Sequence, residues 1–391
     1  MASLCKHFRK FILYPEHYLS RFYCTNALAS SKQTERVYSV AKRTSENNPS
    51  HHTLEQLGLF YTIPTKTADS LFKLGGFPKT FRANINTFGE TCLMIRSPAV
   101  EIISFLEKTD YNKPVVRYVL YGKPGCGKSL TLAHLVHYAF INDFIILHVP
   151  WVWDWFRNER HEVVYSANHE GCVDLPLISA LWLKHFQLQN NKILNELELP
   201  IKKAYIWNQR ESTPAGSHLL DLVSHGINRV KYAADCVMAI IAELKVFSKE
   251  KRCKIFVAVD GFNAFFGDHT NLKTPDRTKV LPTMVTLTKA FLEITKQDWN
   301  NGAVVVTVDQ MAANFNTLHS HLPLFLLGKS GFEYINPFLP ISVNEYTDME
   351  LNSMLDYYED RRWLQNTNGR HELAFLTNKN PYQLMTICGP Y

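Results

Sequence analysis

The stretch from Gly122 to Ser129, with the sequence GKPGCGKS, has the residue types and spacing of a phosphate-binding loop. It fits the pattern G-x-x-x-x-G-K-[ST], in which glycines allow the backbone to turn its N–H groups toward an anion. Lys128 is predicted to reach the β- and γ-phosphates of a nucleotide, and the Ser129 hydroxyl to bind Mg²⁺. The predicted phosphate-binding residues are Gly122, Lys123, Pro124, Gly125, Cys126, Gly127, Lys128, Ser129 and Leu130.

A second protein ligand for the metal is expected at the end of another buried strand. Asp260 follows the apolar run IFVAV (255–259), and Asp309 follows AVVVTV (303–308). In many P-loop ATPases the metal-binding strand precedes a helix and a sensor strand, an order that favours Asp260 as the Mg²⁺ ligand. Thr307 or Asp309 would then occupy the sensor position. The alternative is that either aspartate simply caps the turn after its strand.

Residues that would activate a water molecule for hydrolysis are not recognisable in the sequence. Gly261 follows Asp260, where vigorous ATPases of this type usually place a Glu. The D-x-x-G of signalling GTPases is absent, and TNKN (377–380) ends in Asn380 where a guanine-reading motif needs a carboxylate. We interpret that weak match as chance. The sequence therefore predicts nucleotide binding with slow hydrolysis at most, and by itself it leaves GTP, GDP and ATP open as ligands.

The phosphate-binding loop has the context that its motif requires, an apolar run before it and a helical pattern after it. Apolar runs without alternation are predicted to be buried strands, and the segments between them to be helices. Such a pattern is typical of a parallel sheet covered on both faces, so the predicted fold class is α/β, a P-loop NTPase fold. The predicted strands are 115–121, 144–149, 255–259 and 303–308, and the predicted helices are 99–107, 128–139, 178–194, 282–296 and one long helix or a pair over 219–244.

Changes in composition divide the chain into four parts. A polar, turn-rich stretch gives way to short apolar runs mixed with Gly and Pro, and the buried strands begin only at Lys113-Pro114. After the last buried strand the sequence becomes polar and helical. The predicted parts are a transit peptide with a linker (1–45), an irregular N-terminal extension (46–112), a nucleotide-binding domain (113–335) and a small C-terminal helical subdomain (336–391).

The formal net charge of +6 arises entirely at the start of the chain. Residues 1–43 hold eight Lys and Arg against two Glu, so residues 44–391 carry equal numbers of basic and acidic groups. A basic, acid-poor start with interleaved Leu, Phe and Tyr is typical of a mitochondrial transit peptide; a basic arm that binds RNA or lipid is the alternative. The neutral body argues against an RNA affinity that rests mainly on neutralising phosphates, and it is compatible with local RNA contacts.

Several kinds of site and segment are disfavoured by the sequence. The eight cysteines include no Cys-x-x-Cys pair, which argues against a zinc ribbon or a disulfide framework and favours free thiols. His134 and His137 have no third ligand nearby and are predicted to lie on a helix surface. The strongest apolar run, 144–153, falls short of the roughly 20 residues that a membrane-spanning helix needs.

Two aromatic or basic clusters have more than one interpretation. WVWDWF (151–156) is either an exposed patch for a partner or a set of side chains that pack beneath the long helices. DRRW (360–363) is interpreted as a solvated helix face, with an RNA contact as the alternative.

Four segments together resemble the death-associated protein three family, which comprises P-loop proteins of the small subunit of the mitochondrial ribosome. They are VLYGKPGCGKSLTL, IFVAVDGFNAFFG, DWNNGAVVV and YYEDRRW with the later LTNKNP. The resemblance runs in matching order from roughly residue 55 to the end, and the segment Asp260-Gly-x-Asn-Ala is its most specific part. Cys126 departs from the family pattern, which usually has a small hydroxyl residue there.

The resemblance implies an AAA+-like or STAND-like domain that binds GTP or GDP with Mg²⁺ through Gly122 to Ser129 and Asp260. It also implies a mitochondrial location in the small subunit, with ribosomal proteins, local rRNA and intersubunit contacts as partners, and a linked role in apoptosis. The runner-up hypothesis is an active NTPase that acts as a free signalling or remodelling switch. A small-molecule kinase is disfavoured because no short lid with paired arginines is evident, although DRTK (276–279) keeps it open.

Overall fold

A computed structural model describes residues 40–268, 270–312, 320–365 and 368–389 of the 391-residue chain. Most of the predicted transit peptide, residues 1–39, therefore lies outside the described residues. The strands are β1 (Phe60–Thr62), β2 (Cys92–Met94), β3 (Val116–Tyr121), β4 (Phe144–Val149), β5 (Val164–Tyr165), β6 (Val173–Asp174), β7 (Tyr205–Ile206), β8 (Ser212–Thr213), β9 (Lys254–Val259), β10 (Gly302–Thr307) and β11 (Leu339–Ser342). The α-helices are α1 (Thr65–Phe72), α2 (Lys79–Phe88), α3 (Ser97–Lys108), α4 (Lys128–Ile141), α5 (Trp153–Phe156), α6 (Pro176–Glu196), α7 (Leu219–Asn228), α8 (Ala233–Lys249), α9 (Thr286–Ile294), α10 (Pro323–Ile335), α11 (Asp348–Asp360), α12 (Arg370–Thr377) and α13 (Pro381–Cys388).

The main sheet has five strands in the described residues, in the order β11-β3-β10-β9-β4, and all its neighbours are parallel. The strand that ends in the phosphate-binding loop, β3, lies beside β10, and β10 lies beside β9. Because parallel strands end at the same edge, the loop after β3, Asp260 after β9 and Thr307 at the end of β10 share one edge of the sheet. The predicted α/β fold with a parallel sheet flanked by helices is confirmed.

Alternate residues of each strand face opposite sides of the sheet, and both sides are buried. In β9, Val257 and Val259 join a core with α6, α7, α8 and α9. Phe256 and Ala258 join a core on the other side with α1, α3 and α4. This two-sided burial explains why the strands have continuous apolar sequences rather than alternating ones.

The structure settles two interpretations that the sequence left open. The helical pattern over 219–244 is a pair, α7 and α8, separated at residues 229–232. WVWDWF is mainly core: Trp155 is 6% exposed, and its ring lies 5.6 Å from that of Phe291. Packing beneath the helices therefore accounts for this aromatic run.

One strand of the main sheet was not predicted. The sequence after residue 336 predicts helices, but Leu339–Ser342 forms β11 at the edge of the sheet, beside β3. Two of its four residues, Leu339 and Pro340, are exposed, so it lacks the long apolar run that marks the central strands. Helices α11, α12 and α13 follow this strand.

The N-terminal and C-terminal elements pack on each other beside the sheet. Strands β1 and β2 form an antiparallel pair, and Phe60 of β1 stacks on Tyr357 of α11 with ring centroids 4.6 Å apart. Glu90 accepts hydrogen bonds from Arg43 at 2.9 Å and from the Tyr357 hydroxyl at 2.9 Å. No helix in the described part of the chain is long and apolar enough to cross a membrane.

His134 and His137 are buried, so the prediction that they lie on a helix surface is wrong. They are 2% and 1% exposed, because α4 is covered on this side by the N-terminal segment. His52 of that segment places Nδ1 2.9 Å from His134 Nε2, and its Nε2 lies 3.1 Å from the carbonyl oxygen of Glu46. The histidines therefore attach the N-terminal segment to the helix that follows the phosphate-binding loop.

Buried histidines make the fold sensitive to acid. Burial lowers the pKa of His52, His134 and His148, and it lowers the pKa of His137 and His185 to about 4. In the unfolded chain the pKa is near 6.5, so below that pH the unfolded state binds more protons than the folded state. The free energy of unfolding is therefore highest above this pH, and it falls as the pH drops below it. Below this pH, each buried histidine lowers the free energy of unfolding by up to about 1.4 kcal/mol per pH unit.

We expect the free energy of unfolding, measured with urea, to fall by several kcal/mol between about pH 7.5 and about pH 5.5. His134→Gln removes one of these buried groups and is expected to make the pH dependence shallower. His371→Gln, on an exposed position of α12, is the matched control and is expected to leave the pH dependence unchanged. A free energy of unfolding that does not vary over this range would contradict the prediction.

Candidate functional site

The loop between β3 and α4 has the backbone shape of an anion cradle. Gly122, Gly125 and Gly127 have φ of 154°, 82° and 100°, in the region that side chains disfavour. A Cβ atom on Gly122 would lie 2.1 Å from the carbonyl oxygen of Val343, so only glycine fits there. The first N–H groups of α4 have no partner within the helix and point out of its positive end, toward the cradle.

Lys128 lies at the first position of α4 with its ammonium inside the loop. Its Nζ donates to the carbonyl oxygens of Gly122 at 2.8 Å and Lys123 at 2.9 Å, and it forms an ion pair with Asp309 at 2.8 Å. The residue is 4% exposed. This is the position from which a lysine can contact the phosphates of a bound nucleotide, and Asp309 is its partner within the chain.

Asp260 lies beside Ser129, as expected for two ligands of one metal ion. Its carboxylate accepts a hydrogen bond from the Ser129 hydroxyl and another from the Thr307 hydroxyl. Burial raises the pKa of the Asp260 carboxyl to about 6, and hydrogen bonds from Ser129 and Thr307 oppose that rise. Thr307 also accepts from the N–H of Gly261 at 2.8 Å, so it holds the turn after β9 in place.

Asp309 is positioned by Asn263, a residue that sequence reasoning did not select. The Asn263 side chain donates to the carbonyl oxygen of Asp309 at 2.9 Å and accepts from its N–H at 3.0 Å. Both candidates for the sensor position therefore lie at the site, but they contact different residues. Thr307 contacts Asp260, and Asp309 contacts Lys128.

The backbone at Gly261 explains why no glutamate follows Asp260. Gly261 has φ of 78°, and a Cβ atom there would lie 3.1 Å from the Trp151 ring. A glutamate at this position would be strained and would crowd Trp151. The turn is therefore built around glycine, and a carboxylate on this residue would require the turn to change.

Three carbonyl groups of the loop, those of Pro124, Gly125 and Cys126, are each bound by a residue distant in the sequence. The Asn380 side chain donates to the Pro124 carbonyl oxygen at 2.9 Å, and the N–H of Tyr382 donates to that of Gly125 at 3.1 Å. Arg96 donates to the Cys126 carbonyl oxygen at 2.6 Å. We call Arg96, Asn380 and Tyr382 the collar of the loop.

Arg96 joins the loop to the start of α11. Its guanidinium also donates to Glu350 at 2.9 Å and to the Asn344 carbonyl oxygen at 2.9 Å, and it lies 4.9 Å from the centre of the Tyr346 ring. The Arg96 and Glu350 side chains are 11% and 7% exposed. Nothing in the local sequence around Arg96 marks this role, because its partners lie about 30 and about 250 residues away.

Asn380 was noted in the sequence only as the end of a weak guanine-binding motif. In the structure it caps α13: its Oδ1 accepts from the N–H groups of Tyr382 at 3.1 Å and Gln383 at 3.2 Å. Asn followed by Pro381 is a helix-start signal that could have revealed the cap. It could not have revealed the contact with Pro124.

The remaining predicted loop residues have structural surroundings. Lys123 extends away from the cradle and pairs with Glu345 at 2.6 Å. Leu130, in the first turn of α4, packs against the core. Cys126 is fully buried, and burial raises the pKa of its thiol, so it lacks the character of a redox-sensing thiolate. The six cysteines in the described part of the chain are all free and buried.

The loop lines a cavity of about 840 Å³, and this cavity is large enough for a nucleotide. A hydroxyl and a carboxylate, from Ser129 and Asp260, are the oxygen ligands that Mg²⁺ prefers. The glycine cradle, the helix start and Lys128 fit a phosphate group. The residues present therefore fit a magnesium nucleotide. No group of three or more His, Cys, Asp or Glu that could hold a metal by itself occurs among the described residues.

Arg96→Gln is expected to lower the free energy of unfolding by about 3 kcal/mol, since it leaves the buried Glu350 carboxylate and the Cys126 carbonyl without their donor. Equilibrium denaturation measures this loss. Amide hydrogen exchange of residues 122–127 is expected to become faster, because the collar loses one of its contacts.

Lys123→Gln is the matched control for this substitution. It removes an ion pair on the same loop, but Lys123 is half exposed, so the expected cost is below about 1 kcal/mol. Equal costs for the two substitutions, or unchanged exchange of the loop in Arg96→Gln, would show that the collar does not shape the loop.

Comparison with known proteins agrees with the resemblance found in the sequence. Residues 93–387 match the model of a family described as mitochondrial ribosomal death-associated protein 3. The chain is 39% identical over 364 residues to the protein of Mus musculus named small ribosomal subunit protein mS29, with 92% of each chain covered. It is 38% identical over 360 residues to the Bos taurus protein of that name, covering 91% of this chain and 89% of the other.

A more distant relative extends the comparison to fungi. The mS29 protein of Neurospora crassa is 22% identical over 213 residues, which cover 53% of this chain and 42% of that one. The family model spans well over half of the chain, and the two mammalian relatives align with about nine-tenths of it. The chain therefore belongs to the mitochondrial ribosomal death-associated protein 3 family.

Proposed function

We propose that this chain is a structural protein of the small subunit of the mitochondrial ribosome that retains a guanine nucleotide in its phosphate-binding loop. The observation that carries the ribosomal role is the alignment of about nine-tenths of the chain with mammalian proteins named as components of that subunit. The chain accordingly functions in mitochondria, with other ribosomal proteins and rRNA as neighbours. Intersubunit contacts and an apoptotic role are implied only by the resemblance and stay predictions.

The geometry of the loop supports the nucleotide. The cradle, Lys128 and the pair Ser129 and Asp260 supply phosphate donors and magnesium ligands in one place. When bound, Mg²⁺ would neutralise phosphate charge between these residues. Guanine rather than adenine follows from the family resemblance.

Hydrolysis is expected to be slow, because the carboxylates around the cavity are held by other groups. Asp309 pairs with Lys128 at 2.8 Å, Asp154 with Arg157 at 2.9 Å, and Glu90 with Arg43 at 2.9 Å. Asp260 is bound by Ser129 and Thr307. Each of these bonds occupies one of the lone pairs through which a carboxylate could accept a proton from water, and a general base must use one that stays open.

Lys128→Ala is expected to abolish nucleotide retention. GDP or GTP extracted from the purified wild-type chain should be absent from the variant. Added nucleotide should stabilise the wild type by RT ln(1 + [L]/Kd), about 4 kcal/mol at a thousandfold excess over Kd, and should leave the variant unchanged. This second measurement is needed because loss of Lys128 also leaves Asp309 unpaired and destabilises the chain by itself.

Lys123→Ala is the matched control, since Lys123 belongs to the same loop but faces Glu345. It should retain nucleotide and respond to added nucleotide as the wild type does. Unchanged nucleotide content in Lys128→Ala would contradict the proposal that the nucleotide binds at this loop. Wild-type turnover above about one per second that Lys128→Ala abolishes would favour an active NTPase instead.

The ribosomal role is tested by sedimentation of a mitochondrial lysate through a sucrose gradient. We expect the chain to migrate with the small ribosomal subunit and to carry GDP or GTP there. A chain found only in the light fractions, and able to turn over ATP, would overturn this role in favour of a free NTPase.

A further inference from the structure

Another cavity, of about 600 Å³, lies between residues 157–160 and residues 270–280. Four of its lining side chains are basic and one is acidic. They are Arg157, Arg160, Lys273, Lys279 and Glu159. We call this cavity the basic pocket. Its charge is notable because residues 44–391 as a whole carry no net charge.

The two walls of the basic pocket are tied to each other. The backbone N–H of Asn271 donates to the Phe156 carbonyl oxygen at 2.8 Å. The Asn271 side-chain amide donates to the Arg157 carbonyl oxygen at 2.7 Å. On one wall, Asn158 accepts from the N–H of Arg160 at 3.1 Å and so holds the turn that carries the arginine. The pocket is therefore a fixed arrangement of backbone, with its basic side chains at the rim.

Arg157 pairs with Asp154 at 2.9 Å, whereas the other three basic side chains are only weakly neutralised by the chain itself. Lys273 and Lys279 lie opposite each other in an isolated antiparallel β-bridge across one turn, and like charges in this position repel. Lys273 has Glu159 at 3.9 Å, and both side chains are more than half exposed. Within the described ranges, neither Arg160 nor Lys279 has a carboxylate within salt-bridge distance. A bound anion would relieve this repulsion.

We propose that the basic pocket binds the phosphate backbone of RNA. The inference rests on the proposed ribosomal role, which places the chain in a ribonucleoprotein. Arg160 and Lys279 would contact phosphate oxygens, and Arg157 and Lys273 would add to the local positive potential. Such contacts fix the position of a protein on RNA without reading its sequence.

The lining of the pocket favours RNA over a protein partner. The cores of protein interfaces are depleted of charged residues and enriched in aromatic ones. Among the described lining residues, Leu272 is the one aliphatic side chain, and it is 1% exposed. Tyr165, half exposed, is not part of the lining; its hydroxyl bonds to Asp276, in the turn between Lys273 and Lys279.

The test is binding of a labelled single-stranded RNA of mixed sequence to the full chain, as a function of salt. Arg160→Gln and Lys279→Gln are each expected to reduce the slope of log affinity against log salt by about 0.7 to 1. Together they should weaken binding about tenfold at physiological salt. Both residues are exposed, so the fold is expected to tolerate the changes.

Lys184→Gln with Lys192→Gln, on exposed positions of α6, removes the same charge elsewhere and is the matched control. Because the basic first 43 residues are present in every variant, their RNA binding cancels in the comparison. Equal losses in the pocket and control variants, or no loss in either, would overturn the proposal. So would an equal loss of binding to polyglutamate, because the pocket would then accept any polyanion.

Sedimentation separates this inference from the ribosomal role. RNA binding through the pocket by a chain that sediments free of the small subunit would support the pocket and refute the role. Pocket variants that bind RNA like the wild type, in a chain that co-sediments with the subunit, would overturn the pocket and leave the role standing.

Discussion

Each peptide unit has a carbonyl and, except before proline, an N–H group, so a loop that turns its N–H groups toward an anion needs donors for the carbonyls on its outer side. Here those donors come from outside the loop: Arg96 precedes it by about 30 residues, and Asn380 and Tyr382 follow it by about 250. The shape of the phosphate-binding loop thus depends on segments that are not part of the nucleotide-binding motif. The same contacts attach those segments to the sheet.

This dependence links the site to the surface of the protein. Glu350 binds Arg96 and also completes the cap of α11 by accepting from the N–H of Thr347 at 2.9 Å. Asn380 binds the loop and caps α13. A ligand that stabilises the cradle would therefore also stabilise the placement of two C-terminal helices, by linkage. In a structural protein, this gives a nucleotide a purpose that does not require its hydrolysis.

The parts that the sequence predicts well are those encoded by neighbouring residues. The loop motif, the strands β3, β4, β9 and β10, and the Asp260 carboxylate each follow from a local pattern, and the structure places Asp260 beside Ser129. β11 was missed because an edge strand with Leu339 and Pro340 exposed has no continuous apolar run. Arg96 and the burial of His134 were missed because both depend on partners far along the chain.

The turn after β9 connects the chemistry of the site to the backbone. Gly261 takes a left-handed conformation, and its N–H is bound by Thr307, whose hydroxyl also binds Asp260. The constraint that holds the Asp260 carboxylate therefore also excludes a glutamate from the next position. A site that gained a water-activating base here would have to rebuild this turn and move Trp151. If the loop holds a nucleotide as proposed, this same turn would oppose its rapid turnover.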